Sequence, residues 1–210
     1  MLDALTYQEM LRNIKQNMEY WGVKDDIIGI LITRPDLNTG KNILDSLEYY
    51  HFRTGKSVNF YLPGYGAYWT EGTYPDGKKV TSINCVDWWF SNKMFSDFIS
   101  DLEKHSKWKY SGESELLLVD LKKGILSYEN VLQFYLDDML RSGVITTVHN
   151  FFEQLFRIMR EKDSVNQISN DYGVDKLKQI SKDEIIKRLP LRLGQVYEKE
   201  KHFCVRNLQK

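Results

Sequence analysis

Two strand-like apolar runs bracketing an amphipathic helix constrain this chain most. "DIIGILIT" (26–33) is continuously apolar and β-branched, the composition of a strand covered on both faces. "RPDLNTG" (34–40) is turn chemistry. "KNILDSLEYYHFR" (41–53) then sets Ile43, Leu44, Leu47, Tyr50 and His51 on one helical face, and Gly55 suits its stop. "SVNFYL" (57–62) alternates Val58, Phe60 and Leu62. Strand, helix and strand within about 35 residues predict a right-handed crossover between parallel strands.

The flanking segments extend this pattern. Thr6 and Glu9 form a capping box ahead of a helix carrying Tyr7, Met10, Leu11, Ile14, Met18 and Trp21. Residues 63–79 read as a long loop or small hairpin with Asp76-Gly77 at its tip. "VTSINCV" (80–86) reads as a third strand. Ser91 introduces a helix with Met94, Phe95, Phe98, Ile99 and Leu102. "ELLLVDL" is a buried strand, and a helix is expected to follow from Tyr128, capped by Ser127 and stopped by Gly143. Another helix is expected over 144–162. Beyond Lys162 aromatics thin out and charge rises, with ten Lys/Arg against seven Asp/Glu in 163–210. The expected fold is α/β and Rossmann-like, three layers around a short, mostly parallel sheet. Residues 1–162 form its main body, and 163–210 a charged, helical appendage.

Composition narrows the function classes. Lys plus Arg and Asp plus Glu both number 29, which argues against a wholly basic nucleic-acid coat. Cys85 and Cys204 are far apart and no CxxC or Cys/His cluster exists, so no metal site is expected. Cys85, in an apolar run, is expected to be a buried thiol. "MLDALTYQEM" lacks the basic and apolar regions of a leader, and no run approaches the roughly 20 apolar residues of a membrane span. A cytoplasmic location without a membrane partner is the default expectation.

Ligands of open α/β sheets bind beyond the carboxyl ends of the strands. Three such ends carry unusual residues: Arg34, Asp36, Asn38 and Thr39; then Tyr65, Tyr68 and Trp69; then Asp120. If the strands are parallel neighbours, the three ends share one rim. Tyr65, Tyr68 and Trp69 would then stack on a flat ring, Arg34 and Asp36 supplying charge beside it. Alternatively the aromatics fold back as a lid. Asp120 suits a ribose hydroxyl or a metal, and Asp87 is a further binding candidate. Gly40 and Lys41 open a helix, where an anion is favoured. There is no Walker A loop, GxGxxG or GxSxG elbow. Glu115, Glu129, Asp137 and Asp138 are the other carboxylates near the last strand. Asp137 and Asp138, adjacent on a helix, would point about 100° apart.

The order helix, βα, β, loop, βα, β, α across 26–140 is similar to the Rossmann-like layout shared by TIR domains and nucleoside deoxyribosyltransferases. Those families cleave N-glycosidic bonds of NAD or nucleosides with a helix-borne Glu. In "DWWFSNKMFSDFISDLE", Ser91 and Glu103 occupy a comparable region, without the TIR "S…WC..E" spacing. The resemblance implies an NAD-like or nucleotide ligand and adds Glu103 to Asp120 as a catalytic candidate. The functional expectation is binding, and in one version N-glycosidic hydrolysis, of a nucleotide-like small molecule. One alternative is a non-catalytic module whose 63–69 loop grips another protein or a second copy of the chain. Another is a metal-dependent nuclease, although "DLKKG" lacks the required ExK.

Overall fold

The fold comes from a computed structural model that describes residues 1–21, 26–54, 59–67, 69, 72–171, 182–189 and 202–210. Its centre is the crossover: β2 (Asp26–Ile32) and β3 (Asn59–Pro63) are parallel, with Gly29 beside Phe60. The expected single helix between them is two, α2 (Asn38–Asp45) and α3 (Leu47–Thr54), divided at Ser46. A short strand unforeseen from the sequence, β1 (Leu2–Ala4), runs parallel to the other side of β3.

The rest of the main sheet corrects the mostly parallel expectation. β7 (Glu115–Lys122) lies antiparallel to β2, β8 (Ile125–Tyr135) to β7, and β9 (Phe203–Arg206) to β8. The strand order is β1-β3-β2-β7-β8-β9, a mixed and mostly antiparallel sheet. The antiparallel β7–β8 pair follows from its connection. Lys123 (φ 50°) and Gly124 (φ 82°) both take left-handed backbone, the geometry of a two-residue hairpin turn.

β8 occupies the segment expected to be helical from Tyr128. Opposite Leu118–Asp120 its register slips, pairing Leu118 with Leu132 but Asp120 with Ser127. The slip leaves Tyr128, Val131 and Leu132 all buried, which copies the i, i+3, i+4 pattern of a helix. Only α5 (Leu136–Arg141) of the expected helix forms.

Helices cover both faces of the sheet. Adjacent residues of a strand point to opposite sides. Tyr61 donates a hydrogen bond to Asn13 of α1 (Tyr7–Trp21) at 2.8 Å, and Tyr7 packs on Phe98 of α4 (Asn92–His105) at 5.7 Å. Phe60, on the other side, meets Phe152 and Phe156 of α6 (Val148–Asp171) at 6.3 and 5.4 Å. A Cβ on Gly29 would stand 2.3 Å from the Phe60 ring, so glycine is what lets that ring cross β2. Coverage on both faces explains why Ile27–Ile32 is buried throughout. The Thr6–Glu9 cap is present, with Glu9 N–H donating to Thr6 Oγ1 at 3.1 Å.

A second sheet stands just past β3. It contains β4 (Tyr65–Ala67), β5 (Lys78–Ile83) and β6 (Val86–Phe90), antiparallel in the order β4-β6-β5. The expected strand 80–86 is thus divided. Its turn is Asn84-Cys85 (φ 51° and 60°), and it puts the Cys85 thiol outside, against the expectation of burial. Asp76, expected at a hairpin tip, instead accepts Ser91 Oγ–H at 2.7 Å and Lys93 N–H at 2.8 Å at the start of α4. Toward the carboxyl terminus, α7 (Lys182–Arg188) is helical as expected, while β9 belongs to the main sheet. Among the described residues no helix is long and apolar enough to cross a membrane.

Candidate functional site

The chain leaves β2 into a tight turn. Leu37 N–H reaches Arg34 C=O at 3.2 Å, and α2 starts at Asn38. The Arg34 guanidinium grips Asp36 with two bonds, Nε to Oδ1 at 3.0 Å and Nη2 to Oδ2 at 2.6 Å, a planar fork that fixes both side chains. Facing this turn across a cleft are Lys78 and Lys79 of β5, then Phe90 and Asn92. The cleft holds about 500 Å³, within the range of small-molecule sites.

Its wall carries Arg34, Lys41, Lys78 and Lys79 against Asp36 and Asp45. Lys79 is bound to Asp87 at 2.7 Å. That ammonium and the Ser82 hydroxyl hold the Asp87 carboxyl below its ordinary range. Among the described residues, exposed Lys41 and Lys78 enter no ion pair. The positive charge of the cleft therefore resides mainly on those two ammonium groups.

Behind the turn lies a buried polar network. Thr33 Oγ1 and Ser114 Oγ are 2.8 Å apart, and the Tyr65 hydroxyl donates to Thr33 C=O at 3.3 Å. Asp137 accepts from the Thr39 hydroxyl and from Ser114 N–H, which joins α2 to α5. Glu115 is wholly buried beside Ile32 at the first position of β7. It accepts Ser111 N–H at 3.0 Å, Trp108 Nε1–H at 3.0 Å and Gln133 Nε2–H at 2.6 Å. Tyr110 completes the group. Burial pushes its phenol up to about 12, Arg34 opposing and Glu115, Asp36 and Asp137 adding to the rise. Tyr65 is raised by burial first, then by Asp36 and Tyr110.

The structure brings together only some of the expected residues. Arg34 and Asp36 share the cleft wall, and Asn38 is exposed at the first position of α2. Tyr65 is fully buried with its ring 4.8 Å from Phe90, so no ligand ring stacks on it as placed. Trp69 is half-buried, lying over Gly66 and 4.5 Å from the Tyr74 ring. Tyr68 lies outside the described residues. Asp120 does not share the rim. It pairs with Ile27, at the opposite end of β2 from Arg34, because β7 runs antiparallel. Glu103 is bound by Lys109 at 2.8 Å and by Tyr110 N–H at 3.1 Å, and those donors hold its carboxyl below its ordinary range.

Lys78, Lys79 and Tyr110 went unnoticed in the sequence. The adjacent lysines after "PDG" were the available signal; nothing local marked Tyr110. His202, Asp138 and Ser142 do meet, but Asp138 Oδ2 (2.8 Å) and Ser142 Oγ (3.4 Å) both face Nδ1. A nucleophile relay needs one partner on each ring nitrogen. Among the described residues no group of three or more His, Cys, Asp or Glu could hold a metal ion. No family model matches this chain, and neither a curated protein nor a solved structure matches it.

Proposed function

We propose that the chain binds a nucleotide-like anionic small molecule in the cleft between the β2–α2 turn and β5. One observation carries this reading: a cleft of about 500 Å³ beyond the carboxyl end of a parallel strand, with Lys41 and Lys78 on its wall in no ion pair among the described residues. Ammonium groups without a protein partner suit phosphate oxygens. Arg34 adds a fork that can exchange Asp36 for another oxyanion. A glycosidic bond broken here would draw on Asp36 or Asp45, the carboxylates of the wall. The interaction reading of the 63–69 loop has less support, because Tyr65 is buried and Trp69 is packed on Tyr74.

A ligand that binds only the folded state raises the melting temperature, by about 2.7 kcal/mol of stability at a hundred times its Kd. Nucleoside monophosphates, ADP, NAD and inorganic phosphate are the probes. The expected result is a rise with at least one nucleotide that Lys41→Ala/Lys78→Ala removes without lowering the ligand-free melting temperature. A rise that survives the double substitution places the site elsewhere.

A further inference from the structure

The Arg34–Asp36 fork is closed on itself within the cleft. Both residues line that cleft, together with Lys41 and Lys78. The Asp36 carboxylate takes Arg34 Nε–H at 3.0 Å and Nη2–H at 2.6 Å, so it fills one whole edge of the guanidinium. A phosphate uses such an edge in the same two-bond geometry. The carboxylate comes from two residues along the chain, inside the turn that Leu37 N–H closes on Arg34 C=O at 3.2 Å. The two side chains are 36% and 60% exposed, Arg34 first. Water competes for a pair as open as this, which favours its closed form by about fivefold at most. Asp36 can therefore swing into solvent at little cost. An anion on the remaining edge of the same guanidinium would stand close to the carboxylate, like charge against like. Exchange removes that repulsion.

We propose that Arg34 receives a terminal phosphate of the cleft's ligand, and that Asp36 is a built-in competitor occupying the guanidinium until that phosphate displaces it. This rests on the cleft reading above and adds a ligand class and a brake to it. With Asp36 turned away, three cations of the wall, Arg34, Lys41 and Lys78, are available to the ligand. A phosphate monoester carries close to two negative charges at neutral pH and suits them better than a singly charged diester.

The test titrates the full chain by calorimetry at neutral pH with the four nucleoside 5′-monophosphates and with their methyl phosphodiesters. Wild type is expected to bind at least one monophosphate about tenfold or more tighter than its methyl diester. Asp36→Asn is expected to tighten that monophosphate by about threefold to fivefold. Asp45→Asn removes the other carboxylate of the wall without touching the fork, and a gain of less than about twofold is expected from it. In an Arg34→Gln background the gain from Asp36→Asn is expected to vanish. Equal binding of monoester and diester overturns the ligand class. Weaker binding by Asp36→Asn, an equal gain from Asp45→Asn, or a gain that persists with Arg34→Gln overturns the competitor. Each of these is read with a monophosphate whose binding Lys41→Ala/Lys78→Ala abolishes, so the cleft reading outlives them. Binding of no monophosphate, or binding that the double lysine substitution leaves intact, overturns this inference together with that reading.

Discussion

Trp108 donates its indole N–H to the wholly buried Glu115 carboxylate at 3.0 Å. Two further donors complete that carboxylate, so three elements converge on one charge: the segment before β7, β7 itself and β8.

Replacing Glu115 by Ala strands two buried donors, Trp108 Nε1–H and Gln133 Nε2–H, and frees the Ser111 N–H at the surface. The expected loss is about 3 kcal/mol of unfolding free energy, read as a lower urea midpoint. Glu115→Gln is expected to lose less than Ala but still to destabilise, because its amide N–H₂ must face one of those donors. Wild-type stability in Glu115→Gln would mean that the site needs no carboxylate.

Ser91 caps α4 by accepting Met94 N–H at 3.1 Å, and its own hydroxyl donates to Asp76 Oδ1 at 2.7 Å. Ser91→Ala is expected to cost about 1 kcal/mol in denaturant unfolding.

The same contact is pH-dependent. The Lys93 N–H and Ser91 hydroxyl hold the Asp76 carboxyl below its ordinary 3.8. The folded state thus prefers the carboxylate. Its contribution is fully present above the unfolded value and is lost as pH falls through the lower folded one. Asp76→Asn is expected to lower the melting temperature at pH 7, and the gap to wild type should narrow toward pH 2.

Gly29→Ala sets a methyl 2.3 Å from the Phe60 ring in a fully buried layer. About 1–3 kcal/mol of destabilisation is expected from the overpacking. Adding Phe60→Leu should recover part of it, a coupling that a double-mutant cycle of melting curves measures.

Cys85 is exposed on the β5–β6 turn and Cys204 half-buried beside β8. One thiol is expected to react rapidly with a maleimide in the folded chain, and Cys85→Ser should remove that fast phase.

How far the sequence foretold this molecule depends on how local each signal is. The β2–α2–α3–β3 crossover could be read because each element declares itself within its own residues. Arg34 and Asp36 could be placed just beyond the end of β2 for the same reason, as charged residues following a buried strand. β8 could not, since its slipped register imposes a helical spacing on a strand that only β7 and β9 reveal. Asp120 failed with it. Its position was right along β7, but the antiparallel direction sends it to the far end of the sheet. The role of Glu115 was missed because its burial depends on β8, whose Gln133 supplies one donor, although its other two donors, Trp108 and Ser111, lie within seven residues of it.

The last strand of the main sheet comes from residues 203–206, and its neighbour β8 ends at residue 135. During synthesis β8 therefore emerges from the ribosome long before β9 can join it. In that interval its outer row of peptide groups is open to any extended chain nearby, and a prematurely stopped product keeps that adhesive margin for good.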